Sequence, residues 1–335
     1  MQAIRKSLAK IVAVLMVFWA STACANSYLP STTYNPWKAI SVPTEATLYD
    51  ISFGSPQHGW LVGSDSTILE TVDGGENWQP KVLQLGDQRY RFTSVSFRDK
   101  EGWVTGQPSI LLHTTDEGKS WSRVPLSEKL PGSPSTILSL GQLSAQMTTD
   151  IGAIYKTMDG GKTWKALVQQ AVGVIRNISR STDGKYVAVS AKGNFYSIWE
   201  PGQETWVPHN RNSSRRVQNM GFTPDGRLWM LARGGQIQFS TSAGVEEWDK
   251  AVSPEAATSW GLLDMAYRTP EEVWVTGGSG NLLCSFDGGK TWQKDREVED
   301  IPSNLYKVVF FNPNQGFIMG QQGTLLKYQA PASAA

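Results

Sequence analysis

Cysteine is nearly missing from this chain. Its 335 residues hold two, Cys24 and Cys284, which excludes a disulfide framework. Cys284, inside Leu282-Leu283-Cys284-Ser285, reads as a buried strand thiol. Histidine is almost as scarce. His58, His113 and His209 stand too far apart for a metal-ligand set, so no metal site is expected. Neither sign of charge dominates. Thirty-one Lys and Arg against thirty Asp and Glu leave a net +1, so nothing global points to nucleic acid. G-x-S-x-G, the P-loop and the dinucleotide fingerprint do not occur, and no cofactor is expected. The apolar run at residues 11–20 is ten residues long, too short to span a bilayer.

That run follows Arg5, Lys6 and Lys10, and the combination reads as a secretory signal over residues 1–25. Two endings are open. Cleavage before Cys24 would leave a lipid-modified cysteine, with Ser21 standing where bacterial lipoproteins usually carry Leu. Cleavage after Ala25 would use Ala23-Cys24-Ala25 as an A-x-A site and release a soluble protein. The lipoprotein type, with Cys24 as the lipidation site and residues 26–34 as a linker, is the working expectation.

What is abundant is Gly, at 32, and Trp, at 14, and both recur in one element. Thr71-Val72-Asp73-Gly74-Gly75-Glu76-Asn77-Trp78 returns as TTDEGKSW ending at Trp121, TMDGGKTW ending at Trp164 and SFDGGKTW ending at Trp292. Worn copies end at Trp206 and Trp248. The six tryptophans are 43, 43, 42, 42 and 44 residues apart, and Trp37 precedes the first by 41. A period near 40 to 45 residues means an array of equivalent units. The element resembles the Asp-box of neuraminidase-type repeats. Its Asp (73, 116, 159, 287) can accept hydrogen bonds from the turn's own amides, its glycines allow positive φ, and its Trp buries a large apolar face. This is turn chemistry, and by itself it does not make a glycosidase.

Between the turns, short strands bounded by Gly, Pro and Asp read as β-meanders. Six units are complete. A seventh, over residues 305–328, has three strands and no terminal Trp, while the strand around Trp37 lacks a unit. Each completes the other if the N-terminal strand closes the last sheet and leaves no long edge. The expectation is an all-β, seven-bladed β-propeller over residues 35–329, with four-stranded antiparallel blades, the last closed by the N-terminal strand, and a tail at 330–335. An open β-solenoid is the alternative, and it leaves the split unit unexplained.

In such blades the Asp turns share a face with the loops joining strands one and two. The opposite face then carries Arg89, Arg91, Arg176, Arg211, Arg215, Arg216 and Arg233, and Arg180 is counted with the same patch. Residues 171–233 hold nine basic against four acidic residues, a net of +5, whereas residues 234–335 hold seven against twelve, a net of −5. Such a split orients a partner. One reading of the arginines is solvated loop residues. The other is a docking patch in which residues 211–216 and Arg176 clamp carboxylates bidentately.

The whole pattern resembles the photosystem II stability and assembly factor family of cyanobacteria and plastids. The residues that carry the resemblance are the lipoprotein-like signal, Asn35-Pro36-Trp37, His58-Gly59-Trp60-Leu61-Val62-Gly63, the Asp turns, and Arg176 with Arg211, Arg215 and Arg216. It covers essentially the whole mature chain. It implies a lumenal, thylakoid-associated propeller, a monomer, that acts without catalysis in early photosystem II biogenesis and repair. It further implies that the arginine patch docks the newly made precursor reaction-centre subunit and early assembly intermediates. Two other classes remain open on the residues alone, a sialidase-like carbohydrate hydrolase and a generic exported envelope scaffold. The sialidase Arg-Ile-Pro segment is absent, and the Asp residues of the boxes belong to turns on the other face.

Overall fold

A computed structural model describes residues 29–330, apart from 212, 243, 245 and 255–260. The signal segment and Cys24 lie outside the described residues. Seven antiparallel sheets follow one another along the chain, and six of them join strands in sequence order. The inner strands are Leu48–Phe53, Arg91–Arg98, Pro134–Gly141, Ile175–Arg180, Val217–Phe222, Leu262–Tyr267 and Leu305–Asn312. Trp37–Ala39 pairs antiparallel with Leu325–Tyr328 and is the fourth strand of blade seven. The chain therefore closes as the split unit requires.

Outer strands are shorter than the sequence suggests. Those of blades one, two, three and six are two residues each, as at Gln79–Pro80 and Ser122–Arg123. Blade five has three strands, and its outer edge is reduced to the bridges Ser240↔Trp248 and Ile237↔Val252. Part of the expected linker is docked. Ser31 forms a parallel bridge with Lys294 on the outer strand of blade six, and Arg296 donates to the Leu29 carbonyl and the Ser31 hydroxyl.

The core is seven apolar layers, each between two neighbouring blades. Trp60 and Val62 of blade one meet Phe92, Val95 and Val104 of blade two, and Leu48 and Leu61 meet Phe317 and Met319 of blade seven. Second strands such as Gly59–Gly63 and Val273–Gly277 are buried at every residue because blades cover both their faces. Hence they read as continuous apolar runs instead of an alternation.

Each intact Asp turn is a joint in this stack. Asp73 Oδ1 accepts the amides of Glu76 and Asn77 at 3.0 Å, and Thr71 Oγ1 accepts the Gly75 amide at 3.0 Å. Blades two, three and six repeat the pattern, with the hydroxyls of Ser120, Thr163 and Thr291 donating to the second carboxylate oxygen at 2.6 Å. These donors hold the four carboxyls at about 2. At Asp287 burial opposes the shift and is outweighed by Thr291. The second glycine of the turn packs on the preceding blade. A Cβ at Gly118, where φ is +80°, would lie 2.2 Å from the Trp60 ring. The box tryptophans stack edge-on against preceding blades, Trp121 on Trp60 and Trp164 on Trp103.

Blades four and five lack this turn and keep its hydroxyl-to-carboxylate bond two hairpins earlier. Ser181 and Thr223 donate to Asp183 and Asp225, in the loops joining strands one and two.

Candidate arginine docking face

Inner strands line a central channel, and all seven are bulged at the same place, between Leu48 and Asp50 and at the matching pairs in the other blades. A bulge re-aims the residues beside it. Here the residues just after it form a polar ring of Asp50, Ser94, Thr136, Asn177, Asn219, Asp264 and Lys307. Asp50 Oδ2 accepts from Ser94 Oγ and the Val95 amide at 2.9 Å, and Asp264 Oδ2 accepts the Val308 amide at 3.1 Å, stapling adjacent blades.

Arginines gather at the end of the channel where the inner strands begin. Arg176 donates from Nε and a terminal nitrogen to the Ala191 carbonyl at 3.3 and 3.0 Å and from its other terminal nitrogen to Gln218 Oε1 at 2.5 Å. Arg211 donates to the Arg215 carbonyl at 2.6 Å and to Gln238 Oε1 at 3.3 Å. Arg215 reaches the Arg233 carbonyl at 3.3 Å, while the Arg233 amide bonds the Arg216 carbonyl at 2.9 Å. The seam of blades four and five thus brings Arg176, Arg211, Arg215, Arg216 and Arg233 together. Asn212, in the same loop, lies outside the described residues.

The acceptors that hold Arg176, Arg211 and Arg215 are all neutral. Among the described residues no carboxylate pairs with any of the five. Partial burial lowers the Arg211 guanidinium from its usual value, with the Tyr196 phenol opposing that shift. Arg91 is separate from the seam. Its guanidinium lies 4.3 Å from the centre of the Tyr49 ring, and it lines the same channel mouth as Arg176. Arg89 stands on the rim and is paired at 3.6 Å with Asp65.

Arg180 is the correction. It closes the inner strand near whose start Arg176 lies, so it faces the other mouth, beside Asp183 and Asp225. There it donates to Gln146 Oε1 and the Ser181 carbonyl at 3.2 Å and covers the Tyr186 ring. A strand of six residues puts its two ends on opposite faces of a blade.

The histidines are each held by a glutamate: His58 by Glu70 at 2.8 Å, His113 by Glu101 at 3.0 Å and His209 by Glu246 at 2.8 Å. Cys284 is buried, which pushes its thiol up to about 12. What sequence reasoning missed is the channel ring, above all Asp50, Asp264 and Lys307. The available signal was a polar residue recurring near the start of every inner strand, two places after the residue that precedes the bulge.

Comparison with known proteins completes the picture. The family model described as photosynthesis system II assembly factor YCF48 matches residues 29–329. A photosystem II assembly lipoprotein Ycf48 of Trichormus variabilis is 66% identical over 329 residues, covering 98% of this chain and 96% of that one. Among solved structures, one described as YCF48 bound to D1 peptide is 58% identical with a TM-score of 0.89, covering 91% of this chain and 98% of that one. YCF48 from Cyanidioschyzon merolae is 39% identical with a TM-score of 0.82, covering 88% and 99%. The chain therefore belongs to the photosystem II assembly factor YCF48 family.

Proposed function

We propose that this chain is a non-catalytic photosystem II assembly factor whose arginine face docks the newly made precursor of a reaction-centre subunit during early biogenesis and repair. One observation carries the reading. Five arginines gather at the seam of blades four and five with no carboxylate partner among the described residues, and the guanidinium groups of Arg176, Arg211 and Arg215 are positioned by carbonyl and amide oxygens. Guanidinium groups oriented by neutral acceptors keep their charge available for a carboxylate brought by a partner. The D1 peptide held by the relative at 58% identity supports a peptide as that partner. The carboxylates of the four intact Asp turns are engaged by their own loops, which supports a structural role for the motif.

Export and anchoring through Cys24, on the lumenal side of the thylakoid membrane, belong to the same proposal, as does a monomeric state. They are supported by the signal pattern and by relatives described as lipoproteins. The docking test is capture of a labelled D1 peptide by the full chain and by the double variant Arg215→Glu, Arg216→Glu. Affinity should fall at least about tenfold, as expected when charge-assisted contacts become repulsive. Unchanged affinity would overturn the assignment.

A further inference from the structure

We propose that the channel mouth on the arginine face is a second subsite for the docked segment, taking an acidic side chain or terminal carboxylate between Arg91, Arg176 and Lys307 under the control of Asp264. The inference rests on the docking reading above and adds the residues of the channel ring to it.

The mouth is a cavity of about 620 Å³ lined by Tyr49, Arg91, Arg176, Asn219, Tyr306 and Lys307, among others. That size is within the range of ligand sites. Three cations from blades two, four and seven converge on it. The two carboxylates nearby are tied down and cannot swing out to neutralise the arginines. Asp50 is held by the Ile51 and Val95 amides, Ser94 and the Lys307 ammonium, the last at 2.5 Å. Asp264 is held by the Val308 amide and by Asn219 Nδ2 at 3.0 Å.

Asn219 holds Asp264 in place. Its Nδ2 donates to both the Leu263 carbonyl and Asp264, which fixes the orientation of the amide beneath the mouth. The mouth thus offers positive charge for an anion, and a peptide segment with an acidic group brings one.

Asp264 couples the site to protons. Burial pushes its carboxyl up to about 6, against the pull of Lys307, the Val308 and Met265 amides and Asn219. Lys307 is surrounded by protein yet open to the channel. There burial, which alone would lower its ammonium, is outweighed by the Asp50 carboxylate. The groups facing Asp264 are Lys307 with Asp50 behind it, neutral Asn219, and Arg91 and Arg176 across the mouth. Asp264 also borders the far cavity, where Arg180, Asp183, Asp225 and Tyr267 stand. Protonation removes one negative charge beneath the three cations. Anion binding therefore tightens as pH falls through about 6, and a bound anion reciprocally raises the Asp264 carboxyl.

The test titrates a fluorescein-labelled D1 peptide against the full chain near pH 7.5 and near pH 5.5, in the wild type, Asp264→Asn, Lys307→Met and the Arg215→Glu, Arg216→Glu double variant. Wild-type affinity should rise about fivefold or more on acidification, within the usual span of site-to-site coupling. Asp264→Asn should bind tightly at both pH values, and Lys307→Met should be weaker at both. Calorimetry of the wild type in two buffers of different ionisation enthalpy should show proton uptake near pH 6, a readout that needs no variant to fold. Peptide binding that is lost in the double variant, yet has the same pH response in the wild type and Asp264→Asn and takes up no proton, would overturn the subsite and leave the docking face standing. Absence of peptide binding to the wild type at either pH would overturn both.

Discussion

Blades two and five follow the same strand plan and finish it differently. In blade two the Asp116 turn joins strands three and four, and its glycine sits against Trp60 of the preceding blade. In blade five the third hairpin ends in isolated bridges, and the equivalent turn, Thr223 with Asp225, has moved to the first hairpin. The hydroxyl-to-carboxylate bond is shared, but the packing is not. A Cβ at Gly118 would meet Trp60 at 2.2 Å, whereas one at Gly226, with φ of +82°, has nothing within 4 Å. The Asp turn is therefore two devices in one: a self-contained hairpin cap that can move along the chain, and an inter-blade joint that cannot. Blades four and five keep the cap and drop the joint, and their outer edges lie beside the arginine seam.

The comparison breaks most readily at the glycines. Gly118→Ala combines backbone strain at positive φ with overpacking against a buried ring, each of order 1 to 3 kcal/mol, and should destabilise the fold by about 3 kcal/mol in urea unfolding. Gly226→Ala faces the strain alone and should lose about 1 kcal/mol. Equal losses would mean that the joint contributes nothing beyond the cap.

Much of this plan was legible in the chain. The tryptophan spacing counts the blades, and a strand without a unit plus a unit without a strand indicates how the ring closes. The arginine seam was legible because loop order assigns residues to faces. Arg180 went astray because a charge count ignores which end of a strand a residue occupies. The channel ring was hidden for another reason. One extra residue at each bulge shifts the alternation, so Asp50, Asp264 and Lys307 do not read as facing a common axis, and the Lys307–Asp50 pair joins residues 257 apart in sequence. The outer edge of blade five was illegible because two bridges leave no strand period to detect.

The gentlest way to sharpen the comparison is to separate the two kinds of aspartate by pH. The turn carboxyls of Asp73, Asp116, Asp159 and Asp287 lie at about 2 in the fold against an ordinary 3.8. Their folded values are depressed, so the stability they contribute is present above about 4 and is lost as pH falls towards 2. Asp264 has the opposite sign. Its folded value of about 6 lies above 3.8, so its contribution is full below about 4 and is lost as pH rises through 6. Buried Asp295, also raised to about 6 by desolvation first, adds to the same limb. Chemical unfolding measured from pH 2 to pH 8 should therefore show stability rising steeply to about pH 4 and then declining gently to about pH 6. Asp264→Asn should flatten the upper limb and leave the lower one unchanged, whereas Asp159→Asn should soften only the lower one. An upper limb unaltered by Asp264→Asn would assign the decline to Asp295 and remove the channel carboxyl from the proton balance of the fold.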